Sequence, residues 1–147
     1  MLRTSLTYDV PPEVAFAYLS DPVHRPEWQS SLKAVEVLDV GAPRVGQRWL
    51  DRTAVGLVAR METTALEAPT RWAETGRWRG VAADLTLTFA PHGPEGRSTR
   101  LDVAFEVRGG GLLRPVGWLS TGAGLFAVRS DLARAGRLLA ERASGGA

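Results

Sequence analysis

The segment Pro11-Pro12-Glu13-Val14-Ala15-Phe16-Ala17-Tyr18-Leu19-Ser20-Asp21-Pro22, running on to Pro26-Glu27-Trp28, constrains this chain more than any other. Pro11 and Pro12 can open a helix, because the first helical positions need no N–H partner. Val14, Phe16-Ala17 and Tyr18-Leu19 then supply apolar positions at roughly helical spacing. Asp21 is placed to cap a second helix, with Pro22 where its first residue belongs. The segment follows a short strand, in which Leu2, Thr4, Leu6, Tyr8 and Val10 alternate with polar residues. Few folds begin with one strand, two abutting short helices and then a long run of strands.

That run is legible from period-two alternation and from turn residues. Strands are expected over Ala34–Val40, Gln47–Thr53, Leu57–Glu67, Arg71–Arg77, Val81–Ala90 and Ser98–Arg108. The links between them are short and rich in Gly or Pro, which favours antiparallel neighbours, since parallel strands need long crossovers. After Gly109-Gly110-Gly111 the pattern turns helical and continues to about Arg142. No linker splits the chain, so residues 1–147 read as one α+β domain. An antiparallel sheet with one apolar face needs an apolar partner. The C-terminal helix is the only long element to supply it. The sheet is expected to curl around that helix, with the two short helices closing one end.

Composition narrows the chemistry. With no cysteine, disulfides and thiolate metal sites are excluded, and His24 and His92 are the only imidazoles. No metal site and no cofactor are expected. The isoelectric point near 9.7 hints at nucleic acid, yet the formal net charge is only +2. The high value arises because nearly all the basic residues are Arg, which does not titrate in the usual range. These are scattered rather than clustered, so nucleic-acid binding is not expected. No stretch approaches the ~20 apolar residues of a membrane span. The first residues lack the apolar core of a secretory signal, which makes the cytoplasm the expected compartment.

The order of elements resembles the helix-grip fold of the START/Bet v 1-like (SRPBCC) superfamily, and most closely its polyketide cyclase/dehydrase and lipid-transport branch. The residues that carry the resemblance are Pro12 to Pro22 with Pro26-Glu27-Trp28, Val45-Gly46-Gln47-Arg48-Trp49, and Asp131-Leu132 in the last helix. The resemblance implies a seven-stranded curved antiparallel sheet around the long helix. It also implies a cavity between the two that takes hydrophobic small molecules. Some members of the family are enzymes.

Three readings of the function follow. In the first, the chain binds a small hydrophobic ligand, a lipid or an aromatic or polyketide molecule, in a cavity lined by Met61, Trp72, Trp78, Leu85, Phe105, Trp118 and Phe126. Five Trp in 147 residues suit an aromatic-lined pocket, and they equally suit an ordinary core. In the second, the chain is a cyclase or dehydratase. Glu74 shares the parity of Trp72 and Trp78, so an inward face would bury a carboxylate and raise its pKa towards acid–base use. Tyr8 would assist it; a structural hydrogen bond is the blander role for a buried Tyr. Arg60 and Glu62 are expected to point outward, opposite Ala59, Met61 and Thr63. In the third, the uncharged stretch Val116 to Val128 docks a partner, a second copy of the chain included. That stretch holds Gly117, Gly122 and Gly124, each costing about 1 kcal/mol against Ala in a helix interior, so their small size calls for a reason.

Overall fold

A computed structural model of the protein describes residues 1–109 and 114–145, with side chains of the last helix described from residue 122 onward. Seven strands form one antiparallel sheet: β1 (Leu2–Tyr8), β2 (Leu32–Val37), β3 (Arg48–Thr53), β4 (Val58–Glu67), β5 (Arg71–Trp78), β6 (Val81–His92) and β7 (Ser98–Gly109). Their order is β1-β7-β6-β5-β4-β3-β2, so the first strand pairs with the last and β1 and β2 form the edges. Between β1 and β2 lie α1 (Pro12–Leu19) and a 3-10 turn, Pro22–His24, that runs into α2 (Arg25–Trp28). The long helix α3 (Arg114–Gly145) closes the chain against the inner face of the sheet. This is the helix-grip arrangement.

The corner between the short helices forms as its residues dictate. Pro12 occupies the first turn of α1, and the Asp21 carboxylate accepts the Val23 N–H at 3.1 Å. β2 ends earlier than its alternation predicts. The Leu38 and Asp39 N–H groups both donate to the Arg48 carbonyl, and the Asp39 carboxylate accepts from the Arg48 backbone and guanidinium. Those bonds turn the chain away from the ladder before Val40. A register shift between Thr63 and Ala65 marks a bulge in β4 where it pairs with β5, and a bulge sharpens the local twist. Met61 and Thr63 face inward and Arg60 is exposed, as parity predicts.

The rows of paired residues across the sheet show where the core sits. The row Leu66–Trp72–Leu87–Val103 crosses β4, β5, β6 and β7, and its last three members are almost wholly buried. Leu132, Ala135 and Leu139 of α3 join the same core. Tyr8 belongs to it as well. Its hydroxyl donates to the Leu132 carbonyl, and its ring lies against Gly136, where an added Cβ would come within 2.6 Å of the ring. Two residues along β5, β6 and β7 from the Trp72 row, and three along β4 across its bulge, lies the row Thr63–Glu74–Leu85–Phe105, and there the packing opens.

Candidate functional site

α2 is a single turn, and its inner face consists of Arg25 and Trp28, three residues apart. This points a guanidinium into the molecule. Arg25 is only 2% exposed. It meets Asp51 from β3, with Nε to Oδ1 at 3.2 Å and Nη2 to Oδ2 at 2.8 Å. It also meets Glu74 from β5, with Nη1 to Oε2 at 2.7 Å and Nη2 to Oε1 at 3.4 Å. The Trp28 and Trp49 rings lie 5.6 and 5.2 Å from the guanidinium carbon, within reach of cation–π attraction. The Trp49 indole N–H donates to Asp51 Oδ1. Arg25 is thus held by two carboxylates and two indoles.

Two acids share one base here, and the cluster carries a net negative charge when all three groups are ionised. Burial pushes the Glu74 carboxyl up to about 6; Arg25 pulls it back and the Asp51 charge adds to the rise. Burial works against the charge of Arg25, but Glu74 and Asp51 together hold the guanidinium above its usual range. Bringing such charges indoors is costly unless they are paired and hydrogen-bonded. The pairing explains how the cluster is tolerated, though not why this position holds it.

The cluster forms one end of a cavity of about 330 Å³ between the sheet and α3. Its floor is Met61, Leu85 and Phe105, and its helix wall is Gly124, Ala127, Val128 and Asp131. The wall positions are spaced by three or four residues, one face of a helix. Arg77 and Trp78, both exposed, stand at the rim. Glycines let the walls come close. An added Cβ at Gly76 would sit 2.6 Å from the Met61 sulfur, and one at Gly124 would sit 2.4 Å from the Phe105 ring. Gly124 is therefore small because the sheet approaches it, whereas Gly122 has open space around it. A larger recess, of about 620 Å³, lies on the outer side near Leu38, Arg48, Leu50, Arg60 and Arg77. Most of those residues point to solvent, and no buried charged group lines it.

Of the residues singled out in the sequence, Met61, Trp78, Leu85, Phe105 and Glu74 meet at the cavity. Trp72 does not line it; at 1% exposure it is sealed in the adjacent core, one row back from Glu74. Phe126 is 78% exposed. It lies two residues from Gly124, about 200° around the helix, which turns it away from the wall. Tyr8 is committed to the Leu132 carbonyl, and burial raises its hydroxyl pKa, so it stands in the closed half of the fold rather than beside Glu74. The Trp118 and Gly117 side positions lie outside the described residues. Sequence reasoning missed Arg25 and Asp51. Asp51 carried a signal: it shares the parity of Trp49 on β3, and two inward carboxylates with only β4 between their strands demand a cation. No helix among the described residues is long and apolar enough to cross a membrane.

Comparison with known proteins places this geometry. No characterised protein matches the sequence, but solved structures match over nearly the whole length. A Deinococcus radiodurans protein aligns with a TM-score of 0.63 at 25% identity, covering 97% of this chain and 96% of its own. A conserved protein from Geobacillus kaustophilus aligns with a TM-score of 0.71 at 15% identity, covering 95% of each chain. A START superfamily protein from Mycobacterium smegmatis aligns at 0.65 and 15% identity, covering 89% of this chain and 92% of its own. The family model described as polyketide cyclase / dehydrase and lipid transport matches residues 2–143. With its helix-grip fold and near-complete match, the chain belongs to the polyketide cyclase/dehydrase and lipid-transport family.

Proposed function

We propose that the protein binds a small hydrophobic molecule in the cavity between sheet and α3, apolar body against Met61, Leu85, Phe105 and Val128, polar end at Glu74. The observation that carries this reading is the cavity itself. At about 330 Å³ it is at the small end of the range for ligand pockets, about 300–1,000 Å³. Its walls are apolar, with charged groups gathered at one end, as a site that orients its ligand requires. Calorimetric titration with a panel of aromatic, polyketide and lipid molecules tests it. Binding by wild type, lost in the cavity-filling variant Ala83→Trp while circular dichroism keeps its folded form, is the expected outcome. No binding by any panel member, together with native mass spectrometry of host-derived protein that finds it empty, would overturn the reading.

One observation favours a second reading. Glu74 ionises near 6, close to where a general acid or base works best at neutral pH. In a cyclase or dehydratase its carboxylate would take a proton from carbon beside a carbonyl and return it to oxygen. The reading predicts that Glu74→Gln abolishes turnover of a poly-keto substrate and leaves its binding within a few-fold. Turnover that survives Glu74→Gln would remove it.

A further inference from the structure

The hydrogen-bond accounting at the polar end of the cavity is one-sided. A guanidinium has five N–H donors. Two of those of Arg25 go to Asp51 and two to Glu74. Asp51 Oδ1 accepts twice, from Arg25 and from Trp49, and Oδ2 accepts at 2.8 Å. Glu74 Oε2 accepts at 2.7 Å, but Oε1 has only the long contact of 3.4 Å. Of the four carboxylate oxygens, Glu74 Oε1 is the one left short of donors. The adjoining wall residue Gln29 also holds an amide oxygen with no partner. The unpartnered donors nearby, Trp28 Nε1 and the Thr63 hydroxyl, do not line the cavity, so the surplus among its lining groups is of acceptors.

The charge points the same way. Among the described residues, the charged groups facing the cavity are Arg25, Asp51 and Glu74, with Asp131 from α3 and Arg77 at the rim. Asp131 Oδ1 accepts the Ser30 N–H and hydroxyl, at 3.3 and 2.7 Å, which ties this carboxylate to the α2 side of the opening. Arg77 is exposed at the rim, where solvent screens it. An entering carboxylate would find one spare N–H on Arg25, already contested by two carboxylates, inside a cluster that is already negative. An entering hydroxyl or amine would find Oε1 waiting.

Resting on the cavity reading above, we propose that this site selects hydrophobic molecules that present a hydrogen-bond donor, such as a phenol, enol or amine, to Glu74 Oε1, and that it rejects carboxylic acids of the same skeleton. Fatty acids and aromatic acids are therefore poor ligands, and hydroxylated aromatic molecules are good ones. Arg25 acts as a built-in counterion that positions Glu74, not as an anion receptor.

Calorimetry with naphthol, naphthylamine, naphthoate and naphthalene on the full chain separates the possibilities. At about pH 8 Glu74, whose carboxyl is pushed up to about 6, is ionised, and so is naphthoate. Naphthol or naphthylamine is expected to bind at least tenfold tighter than naphthoate and measurably tighter than naphthalene. Glu74→Gln should narrow the gap to naphthoate by about tenfold while the folded spectrum stays unchanged. Which of the two donors binds more tightly tells a hydroxyl site from an amine site. Naphthoate binding as tightly as naphthol and naphthylamine, or naphthalene binding as tightly as both, overturns the inference and leaves the cavity reading standing. An unchanged gap in a folded Glu74→Gln protein also overturns it. Binding of none of the four overturns the cavity reading and this inference with it.

Discussion

The two halves of the sheet–helix interface are built from the same parts and end differently. Towards the C-terminal end of α3, Gly136 receives the Tyr8 ring and Leu132, Ala135 and Leu139 fill the space above the sheet. Towards the other end, Gly124 receives the Phe105 ring, yet a cavity remains beside it. The difference lies in what else faces inward. The closed half presents Trp72, Leu87, Leu101 and Val103, which can pack without residue; the open half presents Arg25, Asp51 and Glu74. Ionised groups with unused hydrogen-bond capacity resist being covered by apolar side chains. An interior can be kept open by placing charge in it.

Removing the cation is the most direct way to break this contrast. Arg25→Ala leaves Asp51 and Glu74 buried without a cation, Asp51 keeping only the Trp49 indole, and stranding a buried charge costs about 3–5 kcal/mol. Urea unfolding should show that loss, and neutralising both acids in the same protein (Asp51→Asn with Glu74→Gln) should recover a large part of it. A single Arg25→Ala protein as stable as wild type would mean that the cluster is solvated and that the open half is not an interior.

The paired glycines come next. Gly136→Ala would set a Cβ 2.6 Å from a Tyr8 ring that is also tied by its hydroxyl, and forcing volume into a packed site costs about 1–3 kcal/mol. We expect the upper part of that range, reduced to about 2 kcal/mol net by the roughly 1 kcal/mol of helix propensity that Ala gains. Gly124→Ala meets the Phe105 ring at 2.4 Å, but that ring borders empty space and can move aside, while Ala gains about 1 kcal/mol of helix propensity. Its net cost should be under 1 kcal/mol, with the strain appearing as reduced cavity volume and weaker ligand binding. Equal costs at the two glycines would show that the halves are packed alike.

Much of this division was readable from the sequence and some of it was not. Alternation is a property of single strands, so it put Leu85 and Phe105 among the cavity residues and grouped Glu74 with Trp72 and Trp78, but left open whether that face of β5 points inward. It could not say that Trp72, on the same face as Glu74, lies one row deeper in the core. That depends on how the sheet curls after the bulge at Thr63 and Ala65, which is set between strands. Phe126 failed for a simpler reason. An uncharged stretch of helix carries no phase, and only packing shows that Gly124, Ala127 and Val128 form the inner face. Arg25 was hidden in a segment whose prolines and Asp21 explain its backbone so fully that its side chain drew no question.

A smaller effect follows from Glu74. Its folded pKa of about 6 lies above the ordinary value of 4.5, so the folded chain holds this proton more tightly than the unfolded one. The resulting stability is fully present below 4.5 and is lost as pH rises through about 6. The span corresponds to something on the order of 2 kcal/mol. Other carboxylates titrate over the same range, so the measurement is the difference between wild type and Glu74→Gln. The variant should gain on wild type across that window and level off above it. A flat difference from about pH 4 to pH 8 would place Glu74 in contact with solvent.

Tyr8→Phe sharpens the comparison from the closed side. The Leu132 carbonyl that accepts the Tyr8 hydroxyl lies inside α3, where it also accepts a backbone N–H from the residue four positions on. Taking the hydroxyl away therefore strands no acceptor, and the cost reduces to one net hydrogen bond, about 1 kcal/mol. The ring stays, and so does its contact with Gly136. Ligand affinity and the naphthol-to-naphthoate ratio should be those of wild type, because nothing at the Glu74 end depends on this hydroxyl. Loss of discrimination in Tyr8→Phe, measured by the same calorimetry, would mean that α3 shifts as one rigid body. The closed half would then set the shape of the open one instead of merely adjoining it.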